Sequence, residues 1–389
     1  MPTSPTDANS AQSRVFAMFF LYAFGLGGLF PRLADVQRQM DASEGALGLA
    51  LIGMSTGTLI SLSFAGPAIE RLGGRRAMQI LLPLLPLLMA LASWATGPLA
   101  LYLGLVPVGL VIGATELVVN LEADRVEHRF GKRIMNRAHA FWSLGFFAAG
   151  GVGAALSQAG WSPQRHLLAV VPLVLLASVL LLRRFEAAAP RAQASSDGHP
   201  ALPRFARPSR AILGLMLLTL PAMMMEGAAG DWSAIYMRDT FAALPFTAGA
   251  AVAISALAQA AGRFVADVQV ERHGPVCVAQ FCQSLLALGA LVLALAPNVG
   301  VALSGFVLMA LGTSVMFPLA MSAAAQRSDR PAAVNVASLA QTAFVVFLLG
   351  PPLLGQMAQH LGLRWVYALG LPLVLLAWPR SADLGPVRS

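Results

Sequence analysis

Two stretches decide how this chain reads: GPAIERLGGRR at Gly66–Arg76 and GRFVADVQVERHG at Gly262–Gly274. Each closes an apolar run with a small residue, then an acid, arginines and a glycine. The echo continues at an offset of about 199 residues: Gly113 answers Gly312, Asn136 answers Asn335, and Gly151 answers Gly350. Self-similarity at this distance, in apolar surroundings, predicts two copies of one membrane-spanning unit.

Composition agrees. Of the 389 residues, 57% are hydrophobic and 11% charged, with a mean hydropathy of +0.70. So few charges cannot cover a water-facing surface, so lipid is the solvent for most of the chain. The net charge of +8 sits in short loops between apolar runs, with no basic-aromatic groove, which excludes nucleic acid as a partner. Cys277 and Cys282 are five apart in one apolar run, so they point to different helix faces and read as buried thiols. With no CxxC, no HExxH and scattered histidines, neither a metal nor another cofactor is expected. The first 13 residues lack the basic start of a signal peptide, so the first apolar stretch reads as a retained helix.

Twelve apolar segments approach the roughly 20 residues that span a bilayer core. They lie near 14–36, 45–66, 76–96, 98–121, 137–158 and 163–183, then 210–233, 244–265, 275–296, 299–323, 333–357 and 361–380. The fold class expected is all-α and integral to the membrane, with two six-helix bundles related by a pseudo-twofold axis. Residues 1–183 form the first bundle and 210–389 the second. The Ala-, Pro-, Ser- and Arg-rich segment 184–209 is a cytoplasmic linker. With both termini cytoplasmic, 21 basic residues fall inside, while Arg32, Arg38, Arg165, Arg238 and Arg364 fall outside. That asymmetry sets the orientation.

The first stretch supplies Gly66, Glu70, Arg71, Gly73, Arg75 and Arg76; the second supplies Gly262, Arg263, Asp267, Arg272 and Gly274. Physically these suit a latch. Gly66 would let helices approach closely, and Glu70 would pair with arginines or a helix end and release them as the halves move. On these motifs and over nearly its whole length the chain resembles the major facilitator superfamily. The resemblance implies alternating access by two rocking bundles.

The candidate solute and proton residues interrupt otherwise lipid-grade runs. In TELVVN, Glu116 and Asn120 are four apart and share a helix face. An ionisable group at that depth costs about 2.5–3.5 kcal/mol on insertion scales unless it meets a wet cavity or a partner. Glu116 therefore reads as a proton or solute carboxylate, or as one locked to an arginine of its bundle. Asn136, His139 and Trp142 form a polar-aromatic stripe on the next span, suited to a small polar solute or to packing. Glu226 lies toward the external third of its span, and Asp231 and Trp232 are placed at the water boundary. Gln341 occupies the repeat position of Trp142. The TELVVN, MNRAHAFWSLG and EGAAGDWSAIY stretches resemble bacterial permeases related to the fucose/proton symporters. In those, a first-span aspartate and a fourth-span glutamate serve binding and coupling. Glu116 matches the glutamate, but the first span here offers only Arg32 and Asp35, near its external end.

The expected function is secondary active transport of a small polar organic solute, sugar-like or related, driven by protons. The alternatives are a proton-driven exporter of drugs or amphipaths, favoured by Met-rich apolar runs, and a non-transporting membrane sensor. No GxxxxGK[ST] is present for ATP hydrolysis, and no nucleophile–base set marks an enzyme. The expected partners are the solute, protons and the lipid bilayer, with the chain a monomer in a bacterial inner membrane.

Overall fold

The computed structural model describes residues 5–131, 134–183 and 207–385, without the side chains of 5–8, 136, 332, 333, 342 and 343. Most of the expected linker, along with Lys132 and Arg133, lies outside the described residues. Every regular element described is helical: α1 (Pro5–Gly27), α2 (Leu33–Gln39), α3 (Glu44–Leu72), α4 (Gly74–Ala92), α5 (Pro98–Phe130), α6 (Met135–Gln158) and α7 (Pro163–Leu182). The second half holds α8 (Arg210–Phe241), α9 (Pro245–His273), α10 (Pro275–Leu295), α11 (Val299–Thr313), α12 (Met316–Ala325), α13 (Ala332–Leu361), α14 (Leu363–Ala368) and α15 (Gly370–Ala377). Short 3-10 turns cover Phe30–Arg32 and Trp378–Leu384.

Local chemistry sets these boundaries. Pro98, Pro163, Pro245 and Pro275 open helices in the first turn, where a missing N–H costs nothing. The side chains of Ser162, Ser209 and Asn298 cap α7, α8 and α11. Gly73 and Gly274, with φ of 76° and 79°, separate consecutive helices at matching places in the two halves. A side-chain-bearing residue would be strained at either.

Among the described residues, eleven helical stretches are long and apolar enough to cross a membrane. The twelfth apolar segment is divided between α14 and α15, because Pro372 cannot donate to the carbonyl of Ala368. The same chemistry divides α11 from α12: Pro318 withholds the donor that would meet the carbonyl of Ser314. Several helices, α3, α5, α8, α9 and α13, run past their expected ends. The α5 helix runs on to Phe130, since LEADRVEHRF carries good helix formers until Gly131 turns the chain at φ 65°. The α8 helix continues to Phe241.

Contacts divide the described residues into two units, one within 1–42 and 50–199, the other within 43–49 and 200–389. In the first, α1 lies along α6, and α4 packs on α5 and α7. Gly57 and Gly109 let α3 and α5 touch backbone to backbone; a Cβ at either would overlap a carbonyl of the other helix. Such contact replaces the hydrophobic drive that lipid does not supply. In the second unit, α8 packs on α9, α11 and α13, and α10 lies along α11. Its centre is an edge-to-face cluster of Tyr236, Phe306 and Tyr367, all 0% exposed. The Tyr236 hydroxyl donates to the Leu293 carbonyl at 2.5 Å.

Candidate functional site

Glu116 lies mid-way along α5, with 18 residues of that helix before it, about 27 Å from its start at helical rise. Asn120 Nδ2, one turn on, donates to Glu116 Oε1 at 2.8 Å and to the Glu116 carbonyl at 2.9 Å. The hydroxyl of Tyr22, from α1, completes the set with a hydrogen bond to the same carboxyl. These partners are neutral. Among the described residues no arginine ion-pairs with Glu116.

An aromatic wall adjoins this group. Trp142, from α6, meets Tyr22 edge-on at 6.4 Å, and Phe146 stacks on Trp142 at 5.3 Å. Phe30 lies 5.0 Å beyond Phe146. His139 sits one turn earlier on α6, edge-on to Phe19 at 5.1 Å, with its carbonyl accepting from the Ser143 hydroxyl. Asn136 falls in the first turn of α6, and its side chain lies outside the described residues. The first unit thus joins Glu116, Asn120 and Trp142, and adds Tyr22, which sequence reasoning missed. Its signal was a lone hydroxyl within FFLYAFG of the first apolar run.

The second unit holds a charged pair. Arg263 Nη2 on α9 meets Glu226 Oε1 on α8 at 3.4 Å, and Arg263 Nε donates to the Ser314 carbonyl at 3.2 Å. That carbonyl is the one Pro318 leaves without a helical donor, so the arginine seals the α11–α12 break. One turn earlier on α9, Gln259 Nε2 donates to the Thr313 hydroxyl at 3.2 Å. Arg263, expected in the gating motif on the cytoplasmic side, is part-buried between α8, α9 and the α11–α12 break. Gln341 is half-buried on α13.

The placement of Trp232 at the water boundary needs correction. Trp232 is 0% exposed and lies among core side chains, because α8 continues two and a half turns past it. The charged end of that helix is Arg238 with Asp239, which ion-pair. Asp231 is half-buried on the same helix.

The sequence profile of the Major Facilitator Superfamily matches residues 15–230 and again 215–380. The chain belongs to the major facilitator superfamily. It is a multi-pass membrane transporter rather than an enzyme. It is 30% identical to the uncharacterized transporter y4wD of Sinorhizobium fredii, over 93% of this chain and 95% of that one. It is 26% identical to an MFS-type transporter of Yersinia pestis, over 94% and 93%. Membrane protein MosC of Rhizobium meliloti is 24% identical over 89% and 83%. Among solved structures, a mutant of the nucleoside transporter NupG superposes with a TM-score of 0.74 at 11% identity, covering 96% of this chain and 99% of that one. A D-xylose-proton symporter superposes at 0.70 with 15% identity, covering 98% and 99%. Both likenesses speak to the superfamily fold.

Within the superfamily loop motif, one role changes. The close helix approach expected at Gly66 is absent among the described residues: none of them lies within 4 Å of a Cβ built there, and this face of α3 is exposed at Phe64 and Pro67. In the repeat, Gly262 does admit a neighbour, the Ser314 side chain. Glu70, Arg71 and Arg76 are exposed, and Glu70 forms no ion pair or hydrogen bond among the described residues. Arg75 donates to the Arg183 carbonyl at 3.0 Å. Asp267 and Arg272 are exposed near the end of α9.

Proposed function

We propose that this transporter moves a small polar organic solute by alternating access, and that Glu116 carries the coupled proton. One observation supports the reading above others: a mid-span carboxyl is held by two neutral donors beside an aromatic wall. A carboxylate locked to arginine would keep its charge through the cycle. One held by Asn120 and Tyr22 can exist charged or neutral, with its position fixed in both states. Trp142 and Phe146 offer a flat apolar face of the kind that sugar-like rings stack upon.

The structural neighbours favour the same class, since one is named a nucleoside transporter and another a D-xylose-proton symporter. The efflux reading leaned on methionine. Met223, Met224 and Met225 are 5%, 7% and 0% exposed and fill the interior of the second unit, so they do not speak for an amphipath surface. The excess of basic residues on one side favours cytoplasmic termini in a bacterial inner membrane.

The test is proton flux in proteoliposomes across a panel of sugars, sugar acids and amphipaths. A polar solute that moves protons with it supports the reading. Proton movement evoked by amphipaths alone, or by none of the panel, overturns it.

A further inference from the structure

We propose that Arg263 recognises an anionic group on the solute, a carboxylate above all, and that Glu226 is the counter-ion this group displaces. The inference deepens the transport reading above and rests on it.

The geometry of the α11–α12 break fixes the arginine. Because Pro318 leaves the Ser314 carbonyl without a donor, Arg263 spends its Nε edge there at 3.2 Å. The guanidinium is planar, so seating one edge orients the other. Its Nη2 points to Glu226 Oε1 on the neighbouring helix.

That contact is open rather than clenched. It spans 3.4 Å, with side chains 15% and 31% exposed. Charge-assisted pairs of this kind close to about 2.7–2.9 Å and are often bidentate. A loose, half-wet pair contributes little to stability, so stability does not explain why both charges stand at mid-span. Ten residues of α9 follow Arg263 and sixteen of α8 precede Glu226, so neither lies at a helix end where charges cost little. An arginine fork matches the planar geometry of a carboxylate better than a lysine or glutamine would. A solute carboxylate competes for the same edge with the same chemistry as Glu226.

The charges then balance simply. Once displaced, Glu226 leaves Arg263 and the solute carboxylate takes its place, so the charge facing the guanidinium is unchanged. One solute carboxylate then enters with the one proton that Glu116 carries, with no net charge moved. Other titratable or charged groups on α8 and the elements packed on it are Arg210, Asp231, Tyr236, Arg238 and Asp239 on α8, Asp267, Glu271, Arg272 and His273 on α9, His360 on α13, Arg364 and Tyr367 on α14, and Arg380 and Asp383 on the 3-10 turn after α15. Among the described residues, the ion pair of Glu226 is with Arg263.

The experiment compares matched probes on the purified protein at constant ionic strength: D-galactose with D-galacturonate, and D-glucose with D-gluconate. The acids raise the melting temperature and the neutral sugars do not. Arg263→Gln removes the shift. Glu226→Gln, which deletes the competitor, brings it on at a roughly tenfold lower probe concentration. Opposite responses from the two partners separate binding from a structural role, and Glu226→Gln serves alone should Arg263→Gln misfold. Equal shifts from neutral sugars, a shift that survives Arg263→Gln, or no shift from either acid overturns the inference. Galactose-driven proton flux that is indifferent to Arg263→Gln sinks this proposal and leaves the transport reading standing. An acid-specific shift without proton movement does the reverse.

Discussion

Replacing Glu116 by glutamine separates the proton from the geometry that holds it. The amide oxygen of glutamine accepts from Asn120 Nδ2 as Oε1 does now at 2.8 Å, and the Tyr22 hydroxyl keeps a partner. What disappears is the titration. One carboxyl carries one proton per cycle, and a gradient of one pH unit supplies about 1.4 kcal/mol, which at equilibrium concentrates solute about tenfold. In proteoliposomes under imposed pH gradients, the native chain should therefore accumulate solute about tenfold per unit. Glu116→Gln should reach a ratio of about one at every gradient, while solute–solute counterflow continues. The two measurements together matter, since a misfolded variant loses both. If Glu116→Gln accumulates solute with the native slope against the pH gradient, the carboxyl is not the coupling group and the argument from its neutral partners fails.

Three further outcomes test the structure around the site. Gly109→Leu drives a side chain into the Met54 carbonyl and Gly57, so overpacking of about 1–3 kcal/mol should lower the melting temperature; a native melting temperature would show that α3 and α5 do not meet there. Glu127 Oε1 accepts from the backbone N–H of Ile134 at 2.5 Å and of Met135 at 2.8 Å, capping α6 from the preceding helix. Glu127→Ala should cost about 0.5–2 kcal/mol by thermal denaturation, and Glu127→Gln less. Outside the membrane, hydrogen bonds from Ser209 and Asn335, then the Arg330 charge, hold the Asp329 carboxyl below its ordinary range. A depressed folded value contributes stability above the unfolded value and loses it as pH falls. Melting curves should therefore flatten against pH below about pH 4 in Asp329→Asn, and an unchanged acid limb would remove the carboxyl from the account.

The membrane fold was legible because its determinants are local. Twenty-residue apolar runs, first-turn prolines and arginine-bearing loops act over a few residues. The Gly73 and Gly274 turns show the repeat directly in backbone angles as well as in letters. Where the reading fell short, the reason is also local but subtler. LEADRVEHRF looks like a loop by polarity and like a helix by propensity, and propensity wins until Gly131. The Trp232 misplacement follows the same rule: aromatic residues gather at water boundaries, yet the helix simply runs on past this one.

The candidate site was legible residue by residue but not pair by pair. Glu116 and Asn120 could be matched from spacing because one helix carries both. Nothing in the spacing could bring Tyr22 to Glu116, or Arg263 to Glu226, since each pair joins two helices whose rotation depends on packing. Proline supplies a partial remedy. A proline within an apolar run names the carbonyl it orphans, four residues earlier, and that carbonyl must find a donor elsewhere. Pro318 names Ser314, and the long donors within a buried stretch of the same unit are few. Arg263, standing at mid-span on a neighbouring helix with Gln259 one turn earlier donating to Thr313, satisfies that demand. Its charge was expected in the gating motif on the cytoplasmic side, because positive residues in membrane proteins gather there. The orphaned carbonyl is the stronger constraint, and it draws the arginine inward to where a solute could meet it.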